Sequence, residues 1–379
     1  MNDPTDPVPL AQALIRCRSV TPADAGAQDV LAAALEQLGF HVERLRYGAI
    51  ENLFARIGAG GPHLCFAGHT DVVPAGADGW QHDPFGGAID GDVLHGRGAC
   101  DMKGAIAAFV AGVAAHLRTG ALAGSISLLI TGDEEGVATD GTVRVLDWME
   151  ANGQIPDFCL VGEPTCPVRL GDVIKIGRRG SLNARIVVHG MQGHVAYPHR
   201  ADNPAHRLVR ALAALTAAPL DAGSAWFEPS SLQITSIDIG NTATNVIPAT
   251  ASAALNVRFN DRHTGEALGA WLRAVLAQHA ERFELDIAIS GESFLTQPGP
   301  LVETLRGAIR RETGIDPKLD TGGGTSDARF IARFCPVAEF GLVGATMHQV
   351  DERVPLAALR DLARIYAGVV ADFLPHTGA

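Results

Sequence analysis

The sequence lacks three features that define special classes of protein. No run approaches the ~18 apolar residues of a membrane span, and the first residues lack the basic-then-apolar pattern of a signal peptide. An excess of basic charge is also absent, since the formal net charge is -12 and the isoelectric point is near 5.6. We therefore expect a cytoplasmic protein that binds neither membranes nor nucleic acids, although local arginines could bind a small anionic substrate.

Cysteine is present but shows no paired spacing. The residues are scattered along the chain as Cys17, Cys65, Cys100, Cys159, Cys166 and Cys335. In a chain of 379 residues this distribution predicts neither a disulfide framework nor a thiolate metal site. We expect these thiols to be buried and reduced.

Length and patterning predict two domains. The composition, with 47% hydrophobic and 19% charged residues, is typical of a globular protein, and the chain is long for one compact core. The outer parts alternate strand-like and helical patterns, which predicts an α/β sheet. The expected strands are 63–67, 125–130 and 157–161, and the expected helices are 30–38, 104–117, 301–312 and 355–373.

Between about residues 179 and 291 the pattern changes to a β-α-β-β-α-β order, typical of a ferredoxin-like sandwich. The expected strands are 182–189, 232–239, 251–259 and 284–289, and the expected helices are 203–217 and 265–280. We expect this domain, residues 179–291, to be inserted into a larger domain formed by residues 1–178 and 292–379.

Histidines and acids follow the expected strands of the larger domain. His69 and Asp71 follow the strand at 63–67, where an extended backbone would point both to the same side, so that Asp71 could hold the imidazole of His69 while its other nitrogen binds a metal. Asp101 lies in a glycine-rich turn before a helix of small residues. Its carboxylate has two oxygens free to bridge two cations.

Further acids follow the next strands along the chain. Asp133, Glu134 and Glu135 follow the strand at 125–130, Glu163 follows the strand at 157–161, and His348 lies in a late loop. Neighbouring side chains on an extended backbone diverge, so that one glutamate could bind metal while the other acts as a base. The whole set suits a pair of divalent ions that activate a water molecule.

Each motif taken alone has another interpretation. Three consecutive acids are more often a solvated turn than a site, and the glycines near Asp101 could suggest a phosphate loop. The phosphate loop is disfavoured because Gly-Lys-Ser/Thr is missing at the required spacing. The combination favours a metal site, because several acids at one sheet edge would repel each other without cations.

These residues resemble the motifs of the M20 metallopeptidases and deacylases over nearly the whole chain. The matching segments are 68–74, 96–104, 131–136, 162–165 and 347–352. The resemblance implies a mixed-sheet dizinc aminopeptidase-like catalytic domain with an inserted ferredoxin-like α+β dimerisation domain. It also implies two Zn²⁺ per subunit, for which Co²⁺ can substitute.

The resemblance also implies a role for each site residue. Asp101 would bridge both zinc ions, His69 and Glu163 would complete one site, and Glu135 and His348 would complete the other. Glu134 would be the general base, and Asp71 would orient His69. The domain at 179–291 would form a homodimer, in which His194 stabilises the oxyanion in the partner's active site.

Other segments resemble the members of the family that act on a small polyanion. The candidate substrate-binding residues are Arg178, Ser181, Tyr197, Asn245, Arg258, Gly324 and Thr325. The arginines can bind carboxylates, although a single arginine could equally form a surface ion pair. The resemblance implies hydrolysis of N-succinyl-LL-2,6-diaminopimelate, which carries three carboxylates, in lysine and diaminopimelate biosynthesis.

Alternatives stay open at this point. An acetylornithine deacetylase or a small dipeptidase would share the metal site, because a shared fold does not fix the acyl group. A non-catalytic binding protein is disfavoured by the presence of Glu134, which such a protein would not need. A single-metal enzyme, or one that uses cobalt or manganese, is compatible with the same ligand types.

Overall fold

The computed structural model describes residues 3–76, 78–120 and 122–374, and it divides into two compact units. Unit 1 comprises the described residues of Met1–Ile176, Thr296–Asp320 and Ser326–Ala379, and unit 2 comprises Gly177–Leu295 and Thr321–Thr325. Unit 2 thus extends beyond the expected segment 179–291 on both sides and takes in a later stretch of chain. The two ends of the expected larger domain, at residues 1 and 379, lie outside the described residues.

Helices occur in both units. None of those in the described ranges combines the length and apolarity that a membrane span requires. In chain order they are α1 (Val8–Arg16), α2 (Ala27–Gln37), α3 (Lys103–Leu117), α4 (Thr142–Ala151), α5 (Pro204–Leu215), α6 (Gly265–His279), α7 (Pro300–Thr313), α8 (Ala328–Ile331) and α9 (Leu356–Phe373).

Strands also occur in both units. In chain order they are β1 (His41–Tyr47), β2 (Ile50–Gly58), β3 (His63–His69), β4 (Ala88–Asp90), β5 (Val93–His95), β6 (Ser125–Thr131), β7 (Phe158–Val161), β8 (Val173–Lys175), β9 (Gly177–Arg178), β10 (Gly180–His189), β11 (Gly193–His194), β12 (Ser231–Asp238), β13 (Val246–Ile247), β14 (Thr250–Phe259), β15 (Phe283–Gly291), β16 (Phe294–Leu295), β17 (Lys318–Asp320), β18 (Val337–Glu339) and β19 (Arg353–Pro355).

The large sheet of unit 1 has the strand order β1-β2-β6-β3-β7-β18-β8-β17. Its central strands β6, β3, β7 and β18 are parallel, whereas β1 and β2 are antiparallel, so the predicted α/β fold with a mixed sheet is confirmed. Every residue of β3 and β6 is buried, which explains their nearly continuous apolar sequences. Because parallel strands end at one edge, the residues after His69, Thr131 and Val161 meet there.

Helix α3 packs against α9 and against β3. Gly112 allows the backbones of α3 and α9 to approach closely, since a Cβ at this position would lie 2.8 Å from the carbonyl oxygen of Ala363. Phe109 of α3 stacks on Phe66 of β3 with 4.3 Å between the ring centroids. This packing fixes the start of α3, and with it the loop that carries Asp101, against the sheet.

Unit 2 contains the antiparallel sheet β12-β14-β10-β15, with α5 and α6 packed on one face. Its main elements follow the order β10, α5, β12, β14, α6 and β15, which confirms the predicted β-α-β-β-α-β order. Alternate residues of β14 are buried against the helices. Asn203 and Thr264 cap the two helices by accepting the backbone N–H of Ala205 and Ala267 at 3.0 and 3.2 Å.

Candidate metal centre and active site

The side chains expected to bind metal lie together at the carboxyl edge of the unit 1 sheet. His69 ends β3, Glu135 follows β6 and Glu163 follows β7. Asp101 precedes α3, and His348 lies in the loop between β18 and β19. The structure therefore brings these five residues together from five separate parts of the chain.

Asp101 lies between two histidines, each of which has a glutamate beside it. Its Oδ1 is 3.3 Å from Nε2 of His69, and its Oδ2 is 3.2 Å from Nε2 of His348. Oε1 of Glu163 lies 3.7 Å from Nε2 of His69, and Oε1 of Glu135 lies 2.9 Å from Nε2 of His348. Each oxygen of the Asp101 carboxylate therefore faces one histidine and glutamate pair, as a carboxylate that bridges two cations requires.

The donor set fits a pair of divalent ions. Nε2 of His69 and Oδ1 of Asp101 are buried and lack a hydrogen-bond partner among the described residues. The ligand atoms of His69, Asp101 and Glu135 lie within 4.8 Å of one another, as do those of His69, Glu134 and Glu163. Imidazole nitrogens and carboxylate oxygens at this spacing are ligands that zinc and similar ions accept.

Burial, with a contribution from neighbouring acids, raises the pKa values of two glutamates at this edge. Burial raises the pKa of Glu163 well above its ordinary value, and the charges of Asp101 and Glu134 raise it further. Burial also raises the pKa of Glu134 to about 8, to which the nearby carboxylate of Asp327 contributes. Several buried carboxylates that resist ionisation together are a favourable environment for cations.

Asp71 contacts His69 through a different atom from the one expected. Nδ1 of His69 donates to the backbone carbonyl oxygen of Asp71 at 2.9 Å, whereas the nearest carboxylate oxygen of Asp71 is 3.7 Å away. A carbonyl oxygen can only accept, so Nδ1 carries the proton and Nε2 of the neutral ring can bind metal. The Asp71 carboxylate instead accepts the backbone N–H groups of Glu134 and Glu135 at 3.2 and 3.0 Å.

Asp133, the first of the three consecutive acids, shapes the loop that carries the other two. Its buried carboxylate accepts the backbone N–H groups of Val137, Thr139 and Asp140 at 3.1, 3.0 and 3.1 Å. The turn after β6 is thereby closed on one side by Asp133 and held on the other by Asp71. The three acids are thus not a solvated turn.

Glu352 is a candidate functional residue that could not be recognised from the sequence. Its fully buried carboxylate accepts hydrogen bonds from Arg97 and from backbone N–H groups between residues 98 and 101. It therefore joins the loop of Asp101 to the loop of His348. The only signal in the sequence was an acid at the end of the segment 347–352, and nothing in that segment indicates burial.

The candidate substrate-binding residues and His194 all belong to unit 2. Arg178 donates from Nη1 to the carbonyl oxygen of Gly324 at 3.1 Å, and Ser181 lies opposite Arg258 in the ladder between β10 and β14. These residues form two pairs, Arg178 with Gly324 and Ser181 with Arg258.

A second group in unit 2 contains His194, Tyr197 and Asn245. The backbone N–H of Tyr197 donates to the carbonyl oxygen of His194 at 2.9 Å, and their ring centroids are 5.7 Å apart. The carbonyl oxygen of Asn245 accepts the N–H of Val195 at 3.1 Å. The side chains of this group are exposed, and Thr325 lies elsewhere, at the end of the segment Thr321–Thr325.

The chain is similar to known proteins along nearly its whole length. Residues 65–372 match the family model described as peptidase family M20/M25/M40. The chain is 66% identical over 365 residues to the succinyl-diaminopimelate desuccinylase of Acidiphilium cryptum, covering 96% of this chain and 98% of that protein. It is 62% identical over 374 residues to the protein of the same name from Gluconobacter oxydans, covering 98% of each.

A solved structure resembles the fold. It is a dinuclear metal-binding peptidase of the M20 family from Bacillus subtilis, which matches with a TM-score of 0.72 over 98% of each chain. At 16% sequence identity this similarity concerns the fold alone.

Proposed function

The chain belongs to peptidase family M20/M25/M40, and from its 66% identity to a protein named succinyl-diaminopimelate desuccinylase we propose that it hydrolyses the amide bond of N-succinyl-LL-2,6-diaminopimelate to succinate and LL-2,6-diaminopimelate. It is a metal-dependent amide hydrolase, of the kind that serves lysine and diaminopimelate biosynthesis. The carboxylate of Asp101, which faces a histidine and glutamate pair with each oxygen, is the observation that supports metal-dependent hydrolysis.

We assign the site to two zinc ions, with cobalt able to replace them. Asp101 would bridge the ions, His69 and Glu163 would hold the first, and Glu135 and His348 would hold the second. When bound, such ions polarise the amide carbonyl and lower the pKa of the attacking water. The ligand types are supported by Nε2 of His69 and Oδ1 of Asp101, which are buried and have no hydrogen-bond partner in the described part of the chain.

Glu134 is assigned as the general base. Its neighbour Glu135 faces His348 at 2.9 Å, so the side chain of Glu134 stays available for proton transfer. Cations bound beside Glu134 would lower its raised pKa, so that the ionised carboxylate could take a proton from the attacking water and give it to the departing amine nitrogen. Its backbone is held by Asp71 at 3.2 Å, which limits the positions that its side chain can reach.

Unit 2 supports the binding of an anionic substrate. Burial lowers the pKa of Arg258, and the nearby guanidinium of Arg179 lowers it further. Nε of Arg179 is buried without a hydrogen-bond partner among the described residues. Two neighbouring guanidinium groups favour a carboxylate ligand between them, which supports Arg258 as a contact for one substrate carboxylate. We assign Arg178 to another carboxylate from its place in a segment that resembles the family.

We infer a homodimer formed through unit 2. Strand β12 lies at one edge of its sheet, and Ile237 at its end is 52% exposed. Ile239 and Val209 are exposed apolar side chains in the same unit. An unpaired strand edge with apolar side chains favours pairing with a second copy. His194, in this same unit, is assigned to the oxyanion in the active site of the partner.

Substrate discrimination tests the proposal. Purified protein loaded with zinc is expected to hydrolyse N-succinyl-LL-2,6-diaminopimelate at least about 100-fold more efficiently, in kcat/KM, than N-acetylornithine, because only the succinyl group offers a second carboxylate to the arginines. Arg258→Met should remove most of this preference, and Arg273→Met, at an exposed position of α6, is the matched control. Preference for N-acetylornithine would keep the metal chemistry but contradict the proposed substrate.

A further inference from the structure

We propose that the buried ion pair of Arg97 and Glu352 is a positioning device for one of the two metal sites, the one formed by Asp101, Glu135 and His348. The inference rests on the metal pair proposed above. Among the described residues, neither Arg97 nor Glu352 hydrogen-bonds to a proposed metal-binding atom, and both would act through the loops that carry the ligands.

The carboxylate of Glu352 organises the loop that carries Asp101. Its Oε2 accepts from Nη1 of Arg97 at 2.7 Å and from the backbone N–H of Gly98 at 3.1 Å. Its Oε1 accepts the backbone N–H groups of Cys100 and Asp101 at 3.0 and 3.2 Å. The turn that presents Asp101 is therefore closed around one fully buried carboxylate.

Arg97 extends the same network to other loops of the site. Its Nη2 donates to the carbonyl oxygens of Pro74 and His348 at 3.4 and 3.5 Å. Its guanidinium carbon lies 5.3 Å from the centre of the Trp80 ring, and the residue is 2% exposed. One buried cation thus contacts the loop after β3, the loop of His348 and the carboxylate of Glu352.

The loop of His348 depends on such contacts. His348 and Asp351 have φ angles of 60° and 57°, in the left-handed region that residues with side chains rarely adopt. A conformation of this kind persists only where the surroundings hold it. Here the carbonyl oxygen of His348 accepts from Arg97, and that of Glu352 accepts the N–H of Gly96 at 2.9 Å.

The two metal sites should depend unequally on this pair. His69 is oriented by the carbonyl oxygen of Asp71, and Glu163 lies two residues after the end of β7. In the described part of the chain no hydrogen bond links Arg97 or Glu352 to either of these ligands. Removal of the pair should therefore weaken the site of Asp101, Glu135 and His348 more than the site of His69 and Glu163, which shares only Asp101 with it.

Zinc binding to the stripped protein tests the inference directly. Competition with a chromophoric chelator gives the number of zinc equivalents per chain and the affinity of each. In Glu352→Gln, one of the two equivalents is expected to weaken by about 10- to 100-fold, and it should be the equivalent that His348→Ala loses. Arg97→Lys should lower the affinity of the same zinc equivalent by a smaller factor, because lysine keeps the positive charge but lacks the several N–H donors of the planar guanidinium group.

Asp221→Asn is the matched control. Asp221 is also a buried carboxylate that accepts backbone N–H groups, those of Gly223 and Ser230 at 2.6 and 3.2 Å, but it lies in unit 2. Both zinc equivalents should keep their wild-type affinity in this variant. Activity gives a second measurement, since excess zinc should restore turnover in Glu352→Gln and not in Glu134→Ala.

The possible outcomes distinguish the role of Arg97 and Glu352 from the proposed pair of metal ions. If both zinc equivalents keep their wild-type affinity in Glu352→Gln, or if both weaken equally, the inference is overturned and the proposed metal pair is unaffected. A wild type that binds fewer than two equivalents would overturn the metal pair and the inference together. If circular dichroism shows that Glu352→Gln does not fold, the same criteria are applied to Arg97→Lys.

Discussion

The carboxylate of Asp71 accepts a hydrogen bond from the backbone N–H of Glu134, with 3.2 Å between Oδ1 and the nitrogen. Its other oxygen accepts the N–H of Glu135 at 3.0 Å, while its carbonyl oxygen accepts from Nδ1 of His69 at 2.9 Å. Asp71 thus joins the end of β3 to the loop after β6. Its main chain orients a metal ligand, and its side chain positions the loop of the proposed base.

Asp71→Asn tests this division of roles. An asparagine side chain has one acceptor oxygen, so its amide group would face a backbone N–H where a carboxylate oxygen now accepts. We expect turnover to fall by about 10- to 100-fold, while the metal content stays at the wild-type value because the carbonyl oxygen still holds His69. The rate of succinate release and the zinc content after dialysis check this. Parallel loss of zinc and rate would mean that the carboxylate is what orients His69.

Glu134→Ala and Asp101→Ala should separate the base from the bridging ligand. Without Glu134, turnover should fall by about 100- to 10,000-fold, the usual contribution of a general base, with zinc binding retained. Asp101→Ala should lose both turnover and zinc, because each oxygen of Asp101 faces a different histidine. Zinc content and single-turnover rates are compared on the same preparations. Equal loss of zinc in the two variants would make Glu134 a ligand, a role that its distance from His69 and Glu163 also permits.

Complementation between two inactive variants tests the assignment of His194 to the partner's site. Glu134→Ala and His194→Ala should each be inactive alone. After they are mixed, unfolded and refolded together, about a quarter of the wild-type activity is expected, because half of the random dimers are mixed and each carries one complete site. Activity that stays at the level of the separate variants would contradict a role in trans.

His63, at the far end of β3 from the metal residues, should make stability depend on pH. Burial lowers its pKa to about 4 from the ordinary 6.5, and Nε2 lies 2.7 Å from Oγ of Ser127. Between these values the unfolded chain binds a proton that the folded chain does not, so stability is lost as the pH falls from 6.5 towards 4. The full loss from this group is up to about 3 kcal/mol.

Denaturant unfolding of wild type, His63→Gln and His41→Gln at pH 7 and pH 4.5 measures this effect. The glutamine at position 63 keeps a polar group beside Ser127 but does not titrate, so its stability should fall less with pH than that of wild type. His41 is exposed, with 81% of its side chain accessible, and its variant should follow wild type. An equal change in the free energy of unfolding between pH 7 and pH 4.5 for wild type and His63→Gln would refute the effect.

The strongly periodic elements could be predicted from the sequence. The strand expected at 63–67 is β3 (His63–His69), and the helix expected at 265–280 is α6 (Gly265–His279). Where every residue or every second residue of an element is buried, the apolar side chains follow the same pattern along the sequence. Strands β8, β17 and β18 were not predicted, because three residues carry too little periodicity to be recognised.

Strand β1 shows a second limit. Only Leu45 of its seven residues is buried, because β1 lies at the edge of the sheet. Its sequence His-Val-Glu-Arg-Leu-Arg-Tyr therefore has no regular alternation, and its place is fixed by pairing with β2 rather than by a local pattern. Tertiary pairing of this kind cannot be recognised in an isolated segment.

The site was predictable to the level of residues but not of atoms. Acids that follow buried strands indicated which side chains would meet, since the strand ends share one edge. The spacing of His69 and Asp71 did not show whether the carbonyl or the carboxylate oxygen accepts the hydrogen bond. Glu352 was missed because its partners lie at residues 97–101, far away in the sequence, and only the folded chain brings them together.

Succinate release from N-succinyl-LL-2,6-diaminopimelate by chelator-stripped protein, measured as zinc is added back, is the decisive measurement of metal-dependent hydrolysis. We predict no activity without metal and a rate that rises until two equivalents of zinc per chain are bound, with the acids and histidines around Asp101 as ligands. Full activity in the stripped protein, or no succinate release at any zinc concentration, would contradict the account.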